Sequence, residues 1–219
     1  MKKNSSVKSA AADDQEDAKD LLIRAGKILF AEKGLTGTTV RELAQKAGVN
    51  ISLVSYHFNG KEGLYKACLK EFHRRRLTAA ISVLQLPESH QELHIRLGIF
   101  IDQILDSIVE EPELTMMLHR EIETGSLRGL EMFREIFKPM HTSLTTFIKS
   151  AQKKKLIRKD IDPKVATYLF FGNIAHFGRT SQNASNFFGL GNMKDSKTNI
   201  ARHLHTIFIG GMCGKLEEI

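Results

Sequence analysis

The stretch Thr38–Tyr65, TTVRELAQKAGVNISLVSYHFNGKEGLY, sets cations, hydroxyls, an amide and an imidazole at short intervals: Thr39, Arg41, Asn50, Ser52, Ser55, Tyr56, His57 and Lys61. That chemistry suits recognition of a polyanion. Arg, Lys, Ser, Thr and Tyr side chains donate to phosphate oxygens, and small residues such as Ser52 and Ser55 let a backbone come close to a base edge. Bond-making chemistry leaves no comparable signal. There is no G-x-S-x-G elbow, no P-loop and no dinucleotide fingerprint, the usual settings of a nucleophile or nucleotide cofactor. The expectation is a protein that is not an enzyme and uses no cofactor. His90 and His94 stand four apart in an H-x-E-x-H run that lacks the H-E-x-x-H order of zinc proteases. His203 and His205, two apart, do not share a helical face. No metal site is expected.

Two short helices must position the side chains of the 38–65 stretch. Thr39 is placed to cap the first, with Glu42 three residues on as the reciprocal member of a capping box. Val40, Leu43, Ala44 and Ala47 recur at helical spacing and form a buried stripe. Gly48 follows as the residue best suited to the left-handed helix end. Asn50 is a cap for the second helix, expected over Ile51 to about His57, with Val49 stapled on Val54. The spacing is that of two helices around a tight turn, the architecture that reads DNA.

At these residues the segment resembles the DNA-binding domain of the TetR family of bacterial transcription regulators. Ala44, Gly48 and Val54 keep the family's small residue, turn glycine and buried aliphatic. Tyr56, Phe58, Lys61, Glu62 and Leu64 match its Y-x-F-x-x-K-E-x-L run, and Ala25, Leu29, Phe30, Gly34 and Thr38 fit its first helix. The resemblance covers about residues 18–70. It implies that Thr39, Arg41, Tyr56, His57 and Lys61 contact phosphates or nearby base edges, while Asn50, Ile51, Ser52, Leu53 and Ser55 face the major groove. Asn50 and Ile51 depart from strong hydrogen-bonding readers, which shifts base recognition towards Arg41. The resemblance further implies a ligand-responsive repressor, a homodimer on a pseudo-palindromic operator, with an inducer held in a C-terminal helical bundle. The alternative is an architectural or interaction protein that uses the helix-turn-helix without an inducer.

Charge distribution agrees. Residues 1–76 carry 15 Lys and Arg against 9 Asp and Glu, leaving 17 against 16 for the remainder. A basic first third suits a nucleic-acid partner, and a nearly neutral remainder suits ligand or protein contacts. Cys68 and Cys213 form no C-x-x-C pattern, so neither a disulfide framework nor a zinc site is expected and a reducing cytoplasm fits. No apolar run is long enough to span a bilayer, and the N-terminus lacks the apolar core of a signal peptide.

The rest shows helical periodicity and no alternating strand pattern, so the fold class is all-α. The expected organisation is a disordered arm over 1–16, a helix-turn-helix domain over 17–66 and a ligand-binding and dimerisation domain over 67–219. Helices are expected from Asp17 to Lys33, from Lys61 past Arg76 towards Leu84 with a break at Pro87, and from a Ser89 cap to a stop at Pro112. Leu114–Glu123 and Leu127–Lys155 follow, the latter kinked at Pro139; then Val165–Phe177 behind an Asp162-Pro163 start, a polar loop over 181–196, and Asn199 to about Met212. Effector contacts are expected from Met116, His119, Arg120, Phe133, Phe137, Phe147, Asn173, His176 and Phe177. Val165, Leu169, Phe170, Leu204, Ile207 and Phe208 form the apolar stripes expected at a two-fold interface.

Overall fold

The protein, seen here as a computed structural model, is described over residues 6–72, 78–125, 131, 133–180, 189 and 193–213. It is all-α, and the chain divides into two compact units, Met1–Phe72 and His73–Ile219. The first unit contains α1 (Ser6–Gly37), α2 (Val40–Ala47), α3 (Ser52–Phe58) and α4 (Lys61–Phe72). The division falls beyond the expected residue 66 because α4 belongs to this core: Leu64, Tyr65, Cys68 and Leu69 are buried. Tyr65 packs edge-on against Phe30 of α1 at 5.0 Å between ring centroids, and Gly26 of α1 makes room for the Cys68 sulfur.

Helix α1 begins at Ser6, inside the segment expected to be a disordered arm. Ala10, Ala11, Ala12, Gln15 and Glu16 supply helix propensity there. The expected stop at Gly34 appears as a break within α1, with φ 71° and ψ 175°, a conformation that glycine adopts without a Cβ penalty.

The second unit contains α5 (Thr78–Val83), α6 (His90–Glu110), α7 (Pro112–Glu123), a π-helical turn (Phe133–Phe137), α8 (Lys138–Lys153), α9 (Pro163–Thr180) and α10 (Met193–Cys213). Its core joins Leu93, Leu97, Phe100, Ile101, Ile104 and Leu105 of α6 to Leu144, Phe147 and Ile148 of α8, Phe170, Phe171 and Ile174 of α9, and Ile209 and Met212 of α10. The Ser89 hydroxyl caps α6 by accepting from the Glu92 N–H at 3.1 Å. Asp162 caps α9 by accepting from the Lys164 and Val165 N–H groups, ahead of Pro163, which has no N–H to leave unpaired.

Residues 73–77, where α4 was expected to continue through Arg74, Arg75 and Arg76, lie outside the described residues. Of the helix expected over Leu127–Lys155, residues 127–130 and 132 lie outside the described residues; Phe133–Phe137 is a π-turn, and α8 follows it. Pro139 cannot donate to the Glu135 carbonyl four residues back, which accounts for the irregular turn at that point. α10 begins at Met193 rather than Asn199, taking the end of the expected loop into the helix; most of that loop lies outside the described residues.

Candidate nucleic-acid interface

Thr39 and Glu42 make the anticipated capping box. The Glu42 N–H donates to the Thr39 hydroxyl at 3.2 Å, while the Glu42 carboxylate accepts from the Thr39 N–H and O–H, each at 2.8 Å. Lys33, at the end of α1, donates to the same carboxylate at 2.6 Å. These bonds, with Lys33 contributing most, hold the Glu42 carboxyl down at about 2. Thr39 is thus a fully engaged cap: its single O–H is directed at Glu42 and not outward. Arg41, one residue into α2, is exposed.

Gly48 closes α2 in the left-handed conformation, φ 69°, and α3 follows after a short turn. The Asn50 side-chain oxygen accepts from the Ser52 N–H at 2.9 Å and the Ser52 hydroxyl at 2.8 Å, but the cap position of α3 is Ile51 and carries no side-chain cap bond. The helix starts at Ser52, one residue after the expected Ile51, whose own backbone is already helical at φ −56° and ψ −32°. Val54 and Phe58 anchor α3 inward, and Asn50, Ile51, Ser52, Ser55 and Tyr56 are exposed with Leu53 partly so. The anchors therefore leave one continuous outward face. His57 is less available than expected: its ring lies beside those of Tyr56 and Phe58, and its Nε2 is buried.

Lys61, at the start of α4, is partly buried. Its ammonium donates to the carbonyls of Leu35 at 3.0 Å and Thr38 at 2.9 Å. Thr38 is itself buried, with its hydroxyl 2.7 Å from the Gly34 carbonyl and 3.2 Å from that of Leu29. One lysine thereby ties the end of α1 and the approach to α2 onto α4. Sequence reasoning missed this stitch and the Lys33–Glu42 pair, since partners 9 to 26 residues apart leave no periodic trace.

Comparison with known proteins agrees with this geometry. The profile of "Bacterial regulatory proteins, tetR family" matches residues 22–68, covering the second half of α1, α2, α3 and most of α4. The first unit thus resembles the DNA-binding domain of that family. The "Probable HTH-type transcriptional regulator YttP" of Bacillus subtilis is 34% identical over 111 residues, 49% of this chain and 52% of that protein. The "HTH-type transcriptional dual regulator CecR" of Shigella flexneri is 49% identical over 53 residues, 24% of this chain and 23% of that one. This chain thus aligns with half, or about a quarter, of the length of these relatives. Among solved structures, the ketosteroid transcriptional regulator KstR2 of Mycobacterium tuberculosis superposes with a TM-score of 0.72 at 17% identity, over 90% of this chain and 95% of that one. FadR from Bacillus subtilis, solved with stearoyl-CoA, gives 0.69 at 17%, over 88% and 98%. At such identities the likeness is one of fold, and it extends through the second unit.

In that unit the expected effector residues separate. Phe147 and Phe177 are buried core. Met116, Arg120 and Phe137 are partly buried, and His119 sits against Gly178, where an added Cβ would lie 3.1 Å from its Nε2. Burial, then Arg179, pushes the His119 pKa down. The Phe133 side chain lies outside the described residues. Asn173 and His176 are exposed on the outward side of α9, and Asn173 donates back to the Leu169 carbonyl. They do not face the bundle interior, because Ala166, Phe170, Ile174 and Phe177 take the inward positions of α9.

The expected interface residues Val165, Leu169 and Ile207 are exposed, and Leu204 and Phe208 are half-buried. Phe170 is the exception. It is 0% exposed, stacked on Phe100 at 5.8 Å and edge-on to Phe208 at 4.9 Å, so it supports the surface from beneath. Tyr168, 72% exposed between Val165 and Leu169, belongs to the outward face and was missed; its position three residues after Val165 was the available signal.

Proposed function

We propose that this chain is a sequence-specific DNA-binding transcriptional regulator, a ligand-responsive repressor acting as a homodimer on a pseudo-palindromic operator in the cytoplasm, with no catalytic activity. The observation that carries the reading is the outward face of α3, left by the inward anchors Val54 and Phe58, with the exposed Arg41 on the preceding α2 and Lys61 at the start of the following α4. Base-sized side chains on one helix with cations on the helices before and after it match the division of labour between base contacts and phosphate contacts. The exposed Val165, Tyr168, Leu169 and Ile207 support self-association, since such a group of large apolar side chains is costly in water.

The effector in this reading is a small apolar or amphipathic molecule bound within the second unit. Binding there weakens DNA binding through α4, and linkage then requires DNA to weaken effector binding by the same factor. Selecting from random duplexes with the purified chain and titrating the enriched sequence tests the first part. Failure to enrich any sequence would overturn it. Thermal-shift screening with hydrophobic compounds, followed by DNA titration in the presence of a hit, tests the second. A ligand that stabilises the protein but leaves DNA affinity unchanged contradicts the coupling. The packing of His119 on Gly178 and the exposure of Asn173 and His176 favour the second reading, a DNA-binding interaction protein without an inducer, and an absence of hits would support it.

A further inference from the structure

We infer that Ile51 reads the 5-methyl group of a thymine, making each half-site depend on a base feature that forms no hydrogen bond. The inference rests on the DNA-binding reading above. Ile51 occupies the residue before α3, with helical φ −56° and ψ −32°, and is 51% exposed. The polar groups around it are already committed. The Asn50 carbonyl oxygen accepts both the N–H and the O–H of Ser52, so Ser52 has no O–H left to donate and Asn50 keeps only its amide N–H₂ for a base.

What the start of α3 offers the groove is therefore mainly a branched aliphatic surface. Ile51 is stiff at χ1 because it is β-branched, and the bonds from Ser52 to the Asn50 side chain span the backbone on which it stands. In the major groove the thymine methyl is the apolar feature that distinguishes one base from the other three, and aliphatic side chains pack on it. A hydrogen-bonding base edge placed against Ile51 would lose water without gaining a partner.

Duplexes enriched by the intact protein provide the test. Replacing each thymine in turn by deoxyuridine removes only the methyl group. At one position per half-site the change should weaken binding about fourfold, the worth of one buried methyl-sized group, and about sixteenfold when both half-sites are changed. Ile51→Ala should bind the thymine duplex more weakly and no longer distinguish it from the deoxyuridine duplex at that position, while Ile51→Val should keep the distinction. If sequence-specific binding is present but no deoxyuridine position matters, or if Ile51→Ala keeps the full discrimination, the inference is wrong while the DNA-binding reading stands. If no sequence is enriched, the DNA-binding reading itself has failed.

Discussion

The Lys61 ammonium has three N–H groups, and the Leu35 and Thr38 carbonyls take two of them. One is left, and in the proposed DNA-binding reading it goes to a phosphate. Lys61→Ala should therefore show two effects. Loss of a charged donor from partly buried carbonyls should lower stability by about 1–3 kcal/mol. Loss of one phosphate contact should reduce the slope of log K against log salt by about one. A melt paired with a salt titration separates them: an unchanged slope confines Lys61 to the fold, and an unchanged melt discounts the stitch. Cys68 shows the opposite balance. Burial pushes its thiol up to about 12, which leaves it an inert packing residue.

At the scale of elements, the α3–α4 turn is set by close approach. A Cβ added at Gly63 would run into the Phe58 carbonyl oxygen, which must move for any other residue to fit. Gly63→Ala should lower the melting temperature of the full chain, at about 1–3 kcal/mol for such overpacking; an unchanged melt would show that the turn relaxes freely. Histidines mark two other helix contacts. His94 of α6 packs edge-on to His205 of α10, 5.4 Å between centroids, and His205 donates to the His94 carbonyl at 3.0 Å. Burial, then His205 and His90, pushes the His94 pKa below 6.5, and burial likewise depresses His119 between α7 and α9. With folded values below unfolded ones, the unfolded chain takes up protons first as pH falls. The second unit should lose stability as pH drops from about 6.5 through the folded values. Glu42 places the corresponding loss in the first unit between 4.5 and about 2. Hydrogen exchange corrected for intrinsic rate should show α6 and α10 weakening between pH 7 and 5.5 while α2 holds; equal protection across that range would contradict the assignment.

At the scale of the whole molecule, the distinction between Phe170 and its neighbours decides how self-association is tested. Leu169→Asp with Tyr168→Ser puts polar groups on the outward face of α9 and should weaken dimerisation by about thirtyfold or more, the effect of losing an interface anchor. Phe170→Ala instead empties a core position and should cost about 3–5 kcal/mol in folding. Light scattering at micromolar concentration reads the first and denaturant unfolding the second. Wild-type protein running only at 24.7 kDa would overturn the homodimer. A double variant that still self-associates at wild-type strength would move the interface elsewhere.

The helix-turn-helix was legible in the residues themselves because its determinants are local: the Thr39–Glu42 box, the Gly48 turn and the buried stripe of Leu43, Ala44 and Ala47 all act within a few positions. The same holds for the Ser89 and Asp162 caps and for the all-α class, which follow from short-range bonding and a 3.6-residue period. Contacts made across long separations were not legible. That Lys61 reaches Leu35, that α4 is held by Phe30 and Gly26, and that Phe170 is inward while Tyr168 is outward depend on which helix faces which. Apolar periodicity marks a stripe as wanting cover but not what covers it, so Phe170 and Leu169 look alike in sequence. Only the packed helices, by filling one side of α9 with Phe100 and Phe208, separate core from surface.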